Sequence, residues 1–350
     1  MFPLDFPSGI LARRAAGAKL VFDPFAGRGT TLYAARQRGI RAIGIDCSPV
    51  AVAISRAKLA DFTTEGPLDL AKVLVQDQGH VEVPEGEFWE SAFHPETLRD
   101  LCRLRAGLLS LEDNDASVVL RATALGVLHG PITKVRSYLS NQMQRTFSPK
   151  PNYAVRFWKR HALEPPRASV LGALRRKLDL MAKGVYRTIE DGWRDVHLGD
   201  SSNSKSYRGL PPSVDTVITS PPYYGMRTYV SDQWLRHWFL GGPDDVDYTT
   251  SGDLPSSSQD DFSIALGRTW TNLGAVAPEG LRLFVRFGTI PSRRTNPRKL
   301  LLSSLEASSL SWHVVSIRNA RNATAGKRQA DQMCGSSKAI DELDLHAVLS

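Results

Sequence analysis

Short apolar runs closed by turn-forming residues mark strands along this chain, and apolar residues recurring every three or four positions mark helices between them. Lys19–Phe22 and Arg41–Ile45 read as strands, with a helix from Thr30 to about Arg38 between them. Val214, Val217 and Ile218 mark a buried strand. Leu281–Phe287 and Trp312–Arg318 mark two more, and Leu343–Leu349 reads as a last, antiparallel one. Gln259–Val276 and Lys299–Ser309 carry helical spacing. Strands alternating with helices predict an α/β, doubly wound, mostly parallel sheet.

The stretch from about 60 to 193 breaks this alternation. An ordinary crossover needs far fewer residues, so it reads as an inserted, mainly helical subdomain. His94-Pro95-Glu96-Thr97 looks like a helix start, and Leu98, Leu101, Leu104, Leu108 and Leu111 follow at helical spacing. Ser117–Leu128 and Ser169–Tyr186 are further helices. The expected division is therefore 1–60 with 194–350 as one domain and 61–193 as the insert.

Charge sharpens that division. The 350 residues carry a net charge of +8, but residues 130–190 hold 13 Lys and Arg against 3 Asp and Glu, about +10 by themselves. That segment is where phosphate contacts are expected. Arg145, Lys150, Arg156, Lys159 and Arg160 are interleaved with Tyr138, Phe147, Tyr153, Phe157 and Trp158, and Asn141, Gln142, Gln144 and Asn152 add amides. The mixture suits a nucleic-acid surface, and the competing reading is a loop whose aromatics pack onto the insert's helices. A second basic loop, Arg318–Lys338, offers Lys327 and Arg328. Cys47, Cys102 and Cys334 are too few and scattered for a disulfide framework or a zinc cluster. No apolar run approaches a membrane span and no secretory leader is seen, so a cytoplasmic protein without membrane or metal is expected.

Two motifs carry chemistry. In Val21–Thr31, Gly27 and Gly29 permit a tight turn and close approach of backbone to a ligand, and Thr30 and Thr31 suit a helix start. Asp46 ends the next strand, where an acidic residue of a nucleotide-binding sheet holds ribose hydroxyls. Leu32 stands where a dinucleotide fingerprint needs its last glycine, which argues against NAD. Asp23, ahead of the glycines, suits a cationic ligand rather than a pyrophosphate. Downstream, Ser220-Pro221-Pro222-Tyr223 follows a buried strand. The Ser220 hydroxyl and the Pro221 carbonyl can accept hydrogen bonds from an amino group on a ring, and Tyr223 offers a face for stacking a base.

Asp-Pro-Phe-Ala-Gly-x-Gly-Thr followed by Ser-Pro-Pro-Tyr resembles the S-adenosylmethionine-dependent DNA amino-methyltransferases, which methylate N4 of cytosine or N6 of adenine. The resemblance implies a seven-stranded Rossmann-like methyltransferase sheet. It implies cofactor contacts from Asp23, Pro24, Phe25, Ala26, Gly27, Gly29, Thr30 and Thr31, with Asp46 on the ribose. It adds Asp200 and Ser201, after a third strand at Val196–Leu198, near the cofactor adenine. Ser220, Pro221, Pro222 and Tyr223 become the catalytic tetrapeptide, and Phe2–Pro7 the family's first element. DNA is the implied partner, and a homodimer and a restriction endonuclease are partners compatible with the family.

Within that resemblance, serine at the head of the tetrapeptide implies cytosine N4, with adenine N6 as the alternative. The order of the two motifs departs from many cytosine N4 enzymes, so the insert is assigned to recognition by charge and position alone. No cysteine stands in the Pro-Cys setting that C5 methylation needs. An RNA amino-methyltransferase and a non-enzymatic nucleic-acid-binding protein are the rival readings.

Overall fold

The computed structural model describes residues 2–131, 138–143, 150–184, 188, 192–225, 230–247, 254, 258–288, 295–320 and 342–350. The chain divides into two compact units. The first comprises Met1–Ser55, Arg194–Arg227 and Gly252–Ser350, and the second Arg56–Trp193 and Thr228–Ser251.

The first unit is built on seven strands: β1 (Leu20–Asp23), β2 (Arg41–Asp46), β3 (Val196–Leu198), β4 (Thr216–Thr219), β5 (Arg282–Gly288), β6 (Trp312–Asn319) and β7 (Glu342–Leu349). Their order is β3-β2-β1-β4-β5-β7-β6. β1 to β5 run parallel and β7 runs antiparallel between β5 and β6. This is a Rossmann-like α/β sheet. Every residue of β1 and β4 is buried, which is why both read as continuous apolar runs rather than alternating ones. Edge strand β6 instead mixes half-buried and exposed positions and carries a bulge between Val314 and Ser316, a device that spoils an open edge for further pairing.

Strand order reverses between β1 and β4. Chain leaving β1 goes to β2 and β3 on one side, while β4 leads to β5 on the other. At such a switch point the loops beyond the carboxyl ends of the strands part and leave a crevice, the place where open α/β sheets bind ligands. Asp23 and Thr219 are the last residues of these two strands. Around the sheet lie α1 (Asp5–Gly9) and α2 (Thr30–Arg36), then α3 (Pro49–Leu59), which runs from this unit into the next.

The second unit is helical, with α4 (Glu65–Gln76), α5 (Glu87–Ala92), α6 (Pro95–Ser110), α7 (Asp115–Val127), α8 (Pro151–Arg160), α9 (Val170–Ala182) and α10 (Trp234–Phe239). His94 caps α6 through the Glu96 N–H, and Asn114 and Ser117 form a capping box on α7. The core is aromatic. Phe88 meets Trp234 edge-on at 4.9 Å, and Trp89 lies 4.6 Å from Trp238. Arg105 donates to the carbonyls of Trp238 and Gly242 and lies over the Trp238 ring. Trp234, Trp238 and Phe239 of α10 thus belong to the core of the helical unit. The remaining helices, α11 (Gln259–Asn272) and α12 (Pro297–Glu306), return to the first unit, where Trp270 donates to Ser304 at 2.9 Å. No helix among the described residues is long and apolar enough to cross a membrane.

His129 is sealed in the helical unit. Its Nδ1 lies 2.7 Å from Ser140 Oγ and its Nε2 has no partner. Burial, and secondly the charge of Arg236, pushes its pKa from 6.5 down to about 4. The unfolded chain therefore binds more protons between those values, so this contribution is present above pH 6.5 and is lost as pH falls toward 4. The loss is on the order of 3 kcal/mol. Amide exchange in α7 should accelerate over that window, and flat protection would contradict it.

Candidate active site at the β1–β4 switch point

β1 delivers Asp23 into full burial. Its Oδ1 accepts from the Phe25 N–H at 3.1 Å and from the Thr219 hydroxyl at 2.6 Å, while its Oδ2 has no hydrogen-bond partner. Burial is the main reason its pKa rises from 3.8 to about 6; the Thr219 and Thr31 hydroxyls and the Phe25 N–H offset part of that, and the charge of Asp46 adds to it. The Thr219–Asp23 bond links the two motifs directly, because Thr219 is the residue before Ser220. Thr31 reinforces the link by donating to the Ile218 carbonyl at 3.0 Å.

The turn after β1 is held from three sides. Ala26 N–H donates to Ile45 O at 2.9 Å, Gly27 N–H to Asp46 Oδ2 at 2.7 Å, and Ser55 Oγ to Gly27 O at 2.8 Å. Gly29 has φ 70°, a conformation that disfavours any residue with a Cβ, and an added Cβ would lie 2.8 Å from Ser55 Oγ. Thus α2 starts against Ser55 of α3, and no side chain caps its first turn. Asp46 Oδ1 accepts from the Ser48 N–H at 2.9 Å. A carboxylate has about four acceptor positions, so after holding Gly27 and Ser48 Asp46 keeps acceptor capacity for a ligand. Burial raises its pKa.

Of the two residues expected after β3, only Ser201 is buried. Its hydroxyl donates to the Pro24 carbonyl, and its own carbonyl accepts from Tyr207 Oη at 3.0 Å and Asn272 Nδ2 at 3.1 Å. Ser201 is therefore a brace behind the turn. Asp200 is exposed, and its Oδ1 accepts from the Ser202 N–H and hydroxyl, both at 2.8 Å.

The tetrapeptide leaves the end of β4 with Ser220 half-buried and Pro221 buried. Tyr223 packs edge-on to Phe287 at 5.9 Å and donates its hydroxyl to Glu342 Oε1 at 2.9 Å. Thr219, Ser55 and Glu342 escaped the sequence reading. Thr219 had a visible signal, a hydroxyl at the end of a buried strand directly before the tetrapeptide. Ser55 and Glu342 had none.

In the helical unit, α8 buries Ala154, Val155 and Trp158 and exposes Asn152, Tyr153, Arg156, Lys159 and Arg160. Tyr153 is 61% exposed, an unusual position for a large ring. Lys159 pairs with Glu87, Lys150 lies 3.9 Å from Asp232, and Arg156 donates to the Asn152 carbonyl. The amides upstream are structural instead. Asn141 Nδ2 donates to the carbonyls of Ser91 and Leu163, and Gln142 Nε2 to that of Pro131. For Asn141, Gln142 and Trp158 the packing reading is right, because buried carbonyls need those donors. Arg145, Lys327 and Arg328 lie outside the described residues.

The model of the DNA methylase family, N6_N4_Mtase, matches residues 2–57. No curated protein sequence matches significantly. Two solved structures of the rRNA methyltransferase aviRa from Streptomyces viridochromogenes, at 1.5 and 2.4 Å, align with 99% of this chain and 85% of theirs. Their identities are 12% and 13% and their TM-scores 0.32, too low to carry any statement about activity. The fold rests on the strand order, and the family on the segment that includes β1, the Asp23–Thr31 turn and Asp46. Residues 2–57, which hold the Asp23–Thr31 turn and Asp46, are thus similar to the DNA methylase family of amino-methyltransferases.

Proposed function

We propose that this protein transfers a methyl group from S-adenosylmethionine to the exocyclic N4 of a flipped cytosine in DNA. The observation that carries the reading is the 2.6 Å bond from Thr219 to Asp23, which joins a cofactor-type turn to an amine-binding tetrapeptide at a topological switch point.

The site's own features fit the cofactor. The orphaned Asp23 Oδ2 suits a cationic amine. The bare backbone at Gly27 and Gly29 suits close contact with a ligand. The open acceptor capacity of Asp46 suits a ribose diol. When bound, S-adenosylmethionine supplies a methyl group activated by its sulfonium.

The protein's part is to make a poor nucleophile competent. The lone pair of an aromatic amine is delocalised into its ring. Hydrogen bonds from that amine to Ser220 Oγ and the Pro221 carbonyl favour a more tetrahedral nitrogen, whose lone pair then stands free of the ring. Alignment of this nitrogen supplies much of the acceleration. Ser220 is too weak a base to take the amine proton early, so the proton leaves to water late. The target base must leave the duplex to reach the site, and Tyr223 stacks on it there. The exposed Tyr153, Arg156 and Arg160 of α8 supply phosphate and base contacts from the helical unit.

Titration with S-adenosylmethionine by calorimetry, followed by transfer of its labelled methyl to DNA and RNA in parallel, tests the reading. Binding and label in DNA are expected. Label only in RNA would move the substrate, and absence of binding would remove the enzyme assignment.

A further inference from the structure

Tyr223 is held in an unusual way for a residue meant to stack on a base. Its ring touches Phe287 edge-on and its hydroxyl is tied to Glu342, 119 residues downstream. Glu342 opens β7 and stands opposite Gly288 at the carboxyl end of β5. It is 9% exposed, so the hydrogen bonds it accepts matter to a carboxylate drawn this far out of water. Two residues along the same face of β7, Asp344 pairs across the ladder with Arg286. That pair is bidentate, at 2.7 and 2.8 Å, and the guanidinium carbon lies 4.2 Å from the centre of the Phe6 ring. Arg286 is itself nearly buried, and it interacts electrostatically with both Glu342 and Tyr223.

A tyrosine fixed only by its Cα turns about two side-chain torsions, and χ2 of an aromatic ring is broad. A second fixed point at the hydroxyl removes that freedom. The carboxylate strengthens the bond over a neutral one, and the Arg286–Asp344 pair and Phe6 make the base of the network rigid.

We propose that Glu342 is a positioning residue for the tetrapeptide, fixing the plane of the Tyr223 ring on which the target base stacks. It acts through Tyr223 and touches neither base nor cofactor. The proposal rests on the methyltransferase reading above for its consequence in turnover, but its structural claim stands apart.

The test compares Glu342→Leu, Glu342→Gln and Tyr223→Phe in methylation of DNA, with cofactor affinity and Tm measured for each. Leucine at 342 should lower kcat about tenfold or more, the rate equivalent of a hydrogen bond to a charged group, with cofactor affinity unchanged. Glutamine keeps an acceptor oxygen and should restore most of the rate. In the Tyr223→Phe background, which lacks the same bond from the other side, Glu342→Leu should cost nothing more. Wild-type kcat in Glu342→Leu, equal losses in the leucine and glutamine variants, or additive losses with Tyr223→Phe would each overturn the proposal. If the native protein methylates neither DNA nor RNA, the functional reading fails, and fluorine NMR of protein carrying 3-fluorotyrosine still decides this one. The Tyr223 signal, assigned by Tyr223→Phe, should move and narrow in Glu342→Leu but not in Glu342→Gln. An unchanged signal would overturn it.

Discussion

Replacing Asp23 by Asn should weaken cofactor binding at least about a hundredfold while leaving the free protein as stable at pH 7 as before, or more so. The two halves have one cause. Asp23 is fully buried with one oxygen unpartnered, and its pKa stands at about 6 instead of 3.8. The folded state therefore binds the proton more tightly than the unfolded chain. This contribution is fully present below pH 3.8 and is lost as pH rises through 6. Ionised Asp23 thus costs the free protein on the order of 3 kcal/mol at neutral pH. A cationic ligand group against Oδ2 would offset that cost. An asparagine avoids it but has no charge to offer, and breaking a buried charge pair costs about 3–5 kcal/mol. The same argument makes affinity depend on pH. Binding should be constant above pH 6 and fall by about tenfold per unit below it, as Asp23 takes up a proton. Calorimetric titration across pH 5 to 8 on both proteins checks this, and equal affinities would remove Asp23 from the cofactor site. His129 acts in the opposite sense over nearly the same range. Amide exchange at β1 and at α7 should therefore respond to acid in opposite directions.

Ser220→Ala should lose about a hundredfold or more in turnover, comparable to removing one preorganised hydrogen-bonding group from a transition state. Cofactor affinity should not change, because none of the bonds that hold the Asp23–Thr31 turn involves Ser220. Stability should hardly change either, since Ser220 is half-buried and lies outside β4. A single-turnover assay reads the chemical step directly. A variant as fast as the native enzyme would exclude Ser220 from the chemistry, and lost cofactor affinity would make it a binding residue instead.

The parallel sheet was legible because its inner strands are buried on both faces and so appear as plain apolar runs between turns. The Asp23–Thr31 turn and Asp46 were legible because their chemistry lies within one strand-turn-helix-strand unit. What joins these pieces was not. Asp23 and Thr219 are 196 residues apart and Tyr223 and Glu342 are 119 apart, and only the crossing of the strands brings each pair together. The basic, aromatic segment of the insert was half legible. One-dimensional spacing does not tell Trp158, which donates its indole N–H to the Gln142 carbonyl in the core, from Tyr153, which stands in solvent. Asp200 and Ser201 show the same limit, as neighbours of which one is exposed and the other braces the Pro24 carbonyl.

The central claim is the identity of the methylated atom. Nucleoside mass spectrometry of unmethylated DNA, after incubation with the protein and S-adenosylmethionine, tests it most directly. N4-methylcytosine is the predicted product. N6-methyladenine would keep the chemistry and reverse the base, and DNA without any methylated amine, beside methylated RNA or none, would contradict the account.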